Sequence, residues 1–208
     1  MNNHNYDESN LCSVQKAKDY HSYYVITKQY PEVKKLTEKE IFTEICKSFE
    51  NSINAKKNDC GELYYQYVIY GLMPMYEQVG DKEILDKCLQ YLKTAESTVY
   101  ECNLLRDIYV VKAKIFLLLQ LFSHAEKYIL LAYNDFDYRT STFFLLMKIL
   151  DSQNKFELMI YYLKQYCIDF FNLHEKIKTN DFDVLNIKTS DYIDKFNAIL
   201  EGDYVIEC

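Results

Sequence analysis

The sequence predicts an all-α protein built of antiparallel helical hairpins, and three observations lead there. Its 208 residues include only 4 glycines and 2 prolines, too few for the frequent turns of an all-β chain. Apolar residues make up 49% and charged residues 26%, which is ordinary globular usage and excludes a disordered chain. Apolar positions also recur at helical spacing in run after run, separated by short polar breaks. About nine helices are expected on this reading.

Residues 1–8 are read as a disordered N-terminus. The first helix begins near Ser9 or Asn10, turns Leu11, Val14, Ala17 and Tyr24 to one face, and stops before Tyr30-Pro31, because proline disfavours helix in the residue before it. Thr37 to Glu40 spells a capping box and opens a second helix that buries Ile41, Ile45 and Phe49. Residues 54–61, NAKKNDCG, form a loop. The third helix starts at Glu62 and carries Pro74, where a kink or interruption is expected. Gly80 closes it and Asp81 caps the fourth helix, whose inner face holds Leu85, Cys88 or Leu89, Leu92 and Ala95. After a connector from Ser97 to Asn103 come a fifth helix, about Leu104 to Leu121, and a sixth opened by a second capping box, Ser123 to Glu126. The seventh ends at Asp151, and the eighth starts near Asn154. A short ninth is expected from Thr189, capped by Gly202.

The helices repeat. Ala113, Phe116, Phe122, Ala125, Ile129 and Ala132 are spaced 3, 6, 3, 4 and 3, and Met147, Leu150, Phe156, Met159, Leu163 and Tyr166 have the same spacings 34 residues later. Met73, Tyr76, Leu85, Leu89 and Leu92 fit a third copy around Gly80, offset by 40, which places about six extra residues in the connector from Ser97 to Asn103. This resembles the tetratricopeptide repeat, in which a small residue, an aromatic, an elbow and a second helix recur with a period of 34. The resemblance covers residues 62–170 and departs from the family in lacking tryptophan and the proline that ends each second helix. It implies a short right-handed solenoid of stacked hairpins within a single domain, residues 9–201, followed by a tail at 202–208. Residues 9–56 would be an atypical first hairpin.

Charge and motifs exclude several classes. The net charge of −7 removes a whole-protein basic footprint, and no free-DNA binding is expected. The histidines His4, His21, His124 and His174 lack metal-ligand spacing, and no phosphate loop or nucleophile motif occurs, so neither metal, cofactor nor enzymatic activity is expected. Seven scattered cysteines without a C-x-x-C pair, and a polar start, lead to the expectation of a cytoplasmic protein without disulfides. The longest apolar stretch, Ile115 to Phe122, is far short of a membrane span.

The remaining candidates are surfaces. A non-catalytic adaptor that grips a protein segment, or docks in a large assembly, would use Tyr64, Tyr65, Arg106 and Lys112 on successive first helices. No asparagine lies in the register of the carboxylate clamp with which some tetratricopeptide proteins hold chaperone tails. Tyr204, Val205 and Ile206 stand in a strongly acidic end, since residues 181–208 hold seven acidic residues and two lysines, and they are candidate anchors. The alternative is a ribosome- or ribonucleoprotein-bound regulatory factor, for example a translation-inactivating or dormancy factor. It would be held by that tail and by Lys34, Lys35, Lys56 and Lys57 on phosphate.

Overall fold

The computed structural model describes residues 8–55, 60–134 and 140–171, and every regular element among them is helical. The chain divides into two compact units, Met1–Ile108 and Tyr109–Cys208. The first holds α1 (Glu8–Gln29), a 3-10 turn (Pro31–Val33), α2 (Glu38–Asn54), α3 (Gly61–Tyr67), a π turn (Val68–Leu72), α4 (Met73–Val79), α5 (Lys82–Thr98) and the start of α6 (Cys102–Leu118). The second holds the rest of α6, then α7 (Phe122–Asn134), α8 (Thr140–Ser152) and α9 (Phe156–Phe171). Since α3, the π turn and α4 run on without a break, these segments make eight helical rods among the described residues. The predicted ninth helix, the tail at 202–208 and the N-terminal seven residues lie outside the described residues.

In the first unit, neighbouring helices pack antiparallel, as short connections require. The end of α1 meets the start of α2 through Lys28 Nζ and Glu38 Oε1 at 3.1 Å, and Tyr24 sits edge-on to Phe42. Gln78 near the end of α4 donates to Glu38 at the start of α2, while Tyr67 of α3 reaches Glu50 late in α2. A Cβ added to Gly61, at the start of α3, would stand 2.7 Å from the carbonyl oxygen of Ala95 late in α5. Only glycine permits that approach. The inner faces bury Ile41, Phe42, Ile45 and Phe49 of α2 and Leu85, Cys88 and Leu92 of α5, each large apolar side chain contributing about 1.5–3 kcal/mol.

The capping box at Thr37 forms as predicted: its Oγ1 accepts from the Glu40 amide at 3.2 Å, and Glu40 Oε2 accepts from the Thr37 amide at 2.8 Å. Asp81 caps α5 by accepting from the Glu83 amide at 3.0 Å. At Pro74 the chain stays helical without a gap. The preceding turn widens to π geometry, with the Met73 amide donating to the Val68 carbonyl, which absorbs the missing donor and the bulk of the proline ring.

Two other local expectations are corrected. Ser123 is not an N-cap: α7 already starts at Phe122, with the His124 and Ala125 amides on the Leu121 carbonyl. Glu126, expected to close that box, instead accepts from Lys155 Nζ at 2.6 Å and Gln153 Nε2 at 2.9 Å, tying α7 to the turn between α8 and α9. The extra residues of the earlier copy extend helices rather than a loop, since α5 and α6 have 17 residues each where α7 and α8 have 13. The sequence around Ser97 holds no glycine or proline to stop them.

The elbows are alike. Gly80, Gln120 and Asn154 have φ of 73°, 60° and 54°, and no other described residue has positive φ. At Gln120 the Leu121 amide reaches back to the Phe116 carbonyl, and at Asn154 the Lys155 amide reaches back to the Leu150 carbonyl, so both helices end in a Schellman motif. Gly80 makes the simpler version, one bond to the Tyr76 carbonyl. Five residues after each elbow stands a buried residue: Leu85, Ala125 and Met159. The second helices share this register upstream as well. Ile45, Phe49 and Ser52 of α2 are buried with the spacing of Ala125, Ile129 and Ala132 in α7, and Ile45 precedes Leu85 by the same 40 residues that separate Leu85 from Ala125. There the elbow is replaced by the longer 30–37 segment, fastened where the Lys35 amide donates to Tyr23 Oη.

Candidate functional site

In the first unit three helices bring polar and aromatic groups to one place. Glu50 comes from the last turns of α2, Tyr64 and Tyr67 from one face of α3, and Lys87 and Tyr91, four residues apart, from one face of α5. The Tyr67 ring is fully buried and stacks on Phe49 at 5.5 Å. Its hydroxyl donates to Glu50 Oε1 at 2.7 Å, and Lys87 Nζ donates to the same oxygen at 2.7 Å. The Lys87 ammonium lies 5.7 Å from the centre of the Tyr67 ring and 6.0 Å from that of Tyr91. Those two rings meet edge-on at 61° and 5.0 Å, and Tyr64 stacks behind Tyr91 at 5.9 Å. The carboxylate and ammonium remain partly open to solvent, with side chains 38% and 42% exposed.

Electrostatics fix the protonation states. Burial pushes the Glu50 carboxyl up, but the hydrogen bonds from Lys87 and Tyr67 outweigh it and hold it below the usual carboxylate value. Tyr67 is raised, first by burial and then by its bond to Glu50, so it stays a donor. Burial, followed by the Glu50 charge, raises the Cys46 thiol to about 11, and burial raises Cys88 to about 12. Neither is a thiolate at neutral pH, so the cluster offers no sulfur nucleophile. What it offers is a charge-assisted cradle with aromatic walls.

The second unit has its own aromatic centre. Tyr128 of α7 stacks on Phe116 of α6 at 5.5 Å and leans on Tyr109, with Lys112 Nζ 5.0 Å and Lys127 Nζ 5.8 Å from its ring centre. His124 packs on Phe116, and Tyr133 meets Tyr162 of α9 edge-on.

The residues predicted as one binding surface are not all presented to solvent. Tyr64 and Tyr65 are half-buried on α3. Arg106 is only 3% exposed and turns back on its own helix, donating to Asp107 and Asn103, so it is not presented to a partner as the sequence suggests. Lys112, also 3% exposed, faces Tyr128 and is likewise withdrawn from the surface. Arg106 belongs to the first unit and Lys112 to the second. Lys34 is engaged by Glu38 at 3.7 Å, and Lys35 is exposed. Lys56, Lys57, Tyr204, Val205 and Ile206 lie outside the described residues. The Glu50–Tyr67–Lys87 cluster escapes sequence reading because its members stand 17 and 37 residues apart on three helices. Its one local sign is the Lys87 and Tyr91 pair.

Among the described residues, no group of three or more His, Cys, Asp or Glu side chains is placed to hold a metal ion, and no helix is long and apolar enough to cross a membrane. No family model, curated protein or solved structure matches the chain.

Proposed function

We propose that the chain is a non-catalytic adaptor of the cytoplasm, a short tetratricopeptide-like array of helical hairpins that binds a segment of a partner protein on the faces its hairpins leave open. The observation that carries this reading is the repeated elbow. Gly80, Gln120 and Asn154 reverse the chain with the same left-handed conformation at the same distance before a buried second-helix position. Hairpins repeated in this way bury one face against their neighbours and leave the other as extended surface, which suits gripping a partner better than enclosing a reaction. Exposed apolar side chains at Val25, Ile26 and Tyr30 on and just after α1, and at Leu158 and Tyr161 on α9, add to the reading.

Sedimentation of the native-source lysate on a sucrose gradient, with and without RNase, tests it. An adaptor travels with a heavier species whether or not RNase is added. Sedimentation as the free chain under all conditions would overturn the reading. A shift to light fractions on RNase treatment would put the ribonucleoprotein-bound factor in its place, with Lys35 the first described residue to change to glutamate.

A further inference from the structure

We propose that Glu50, Tyr67 and Tyr91 form a binding cage for an alkylammonium group, occupied in this structure by the chain's own Lys87. Two aromatic rings inclined at 61° and a carboxylate surround the Lys87 ammonium at 5.7 Å, 6.0 Å and 2.7 Å. Ring faces and a carboxylate together select an organic cation: the faces carry negative potential, and the carboxylate supplies the full charge. Tyr64, stacked on Tyr91, stiffens one wall, and the Tyr67 hydroxyl holds the carboxylate in place.

Lys87 is the replaceable member. The buried hydroxyl of Tyr67 has its acceptor in Glu50 and does not need the lysine. The ion pair is 42% and 38% exposed on its two sides, so opening it has a small cost, a penalty of up to about fivefold on a competing ligand. With Lys87 swung into water, the cage keeps its negative charge and both walls. The guest that fits is another ammonium, and the inference rests on the adaptor reading only for its source, a lysine side chain, methylated or not, in the partner segment. A small quaternary amine has the same chemistry.

The test uses the full chain and purified probes, so it succeeds or fails whatever the lysate gradient shows. Ring signals of Tyr67 and Tyr91 are followed by NMR while tetramethylammonium chloride is added at constant ionic strength, with sodium chloride as the blank. Choline and a neutral peptide carrying one trimethyllysine are then compared. Saturable shifts are expected in the wild type and, up to about fivefold tighter, in Lys87→Met, which keeps the packing of the stem. Glu50→Gln, which still accepts from Tyr67, should weaken binding about tenfold. Tighter binding of the peptide than of choline supports a partner lysine, and the reverse order supports a free amine in the same cage. Absence of saturable shifts in both wild type and Lys87→Met, or binding unchanged in Glu50→Gln, overturns the proposal. Should Lys87→Met fail to fold, the wild-type and Glu50→Gln titrations decide.

Discussion

At the three elbows one backbone geometry is met by three different residues, and their chemistry ranks them. Left-handed backbone costs an ordinary L-residue about 1–2 kcal/mol, less for asparagine and nothing for glycine. Gln120→Gly should therefore raise stability by about 1 kcal/mol, and Asn154→Gly by less. Gly80→Ala should lower it by about 1 kcal/mol, although nothing lies within 4 Å of the added carbon. Urea unfolding midpoints of the three variants check the order. His21 gives a second residue-scale prediction. It packs on Tyr70 at 4.6 Å, and burial lowers its pKa below the ordinary 6.5. The unfolded chain then takes the proton first, so stability is full above pH 6.5 and falls as the pH drops below it. His21→Gln should flatten the stability profile between pH 7 and about 5.5, above the range in which the carboxylates titrate. At this scale the sequence was legible wherever a local pattern acts alone, as at Thr37 and Glu40. It misled at Glu126, Arg106 and Lys112, because a residue distant in sequence or a competing local bond takes the side chain. At Glu126 the competitor is Lys155, 29 residues away.

Between elements, the tie of α2 to α3 and α5 runs through one carboxylate oxygen, and its energetics are asymmetric. Removing Glu50 leaves the buried Tyr67 hydroxyl without its acceptor, whereas removing the hydroxyl leaves a half-exposed carboxylate that still has Lys87. Glu50→Ala should destabilise by about 1–3 kcal/mol and Tyr67→Phe by about 1 kcal/mol. The double variant should fall near Tyr67→Phe, and a denaturation cycle measures the coupling. Had the two single costs simply added, the hydrogen bond would not be the tie. The order of the helices among the described residues was legible from apolar spacing, as was the Gly80 elbow from the repeat. The π turn was not, because periodicity says only that Pro74 must be accommodated. Whether that happens by kink, break or a widened turn is decided by how the neighbouring helices pack.

For the molecule as a whole, the division into two compact units predicts unequal responses to core truncation. Leu150, fully buried in the second unit among Ala125, Phe143 and Met159, should cost about 2–5 kcal/mol when changed to alanine. Hydrogen exchange should then quicken in α7, α8 and α9 more than in α2 and α5, while Leu92→Ala should show the reverse. Equal acceleration everywhere would mean that the units unfold as one. The pairing of helices with their neighbours along the chain also bears on how the protein is made. Residues that close the first hairpin, from Ala17 to Ser52, are all near one another in sequence, so little loop entropy opposes their meeting and folding is expected to be fast. The α1–α2 hairpin can therefore assemble while the later helices are still being synthesised, and each elbow that follows delivers the next helix to a surface already waiting for it.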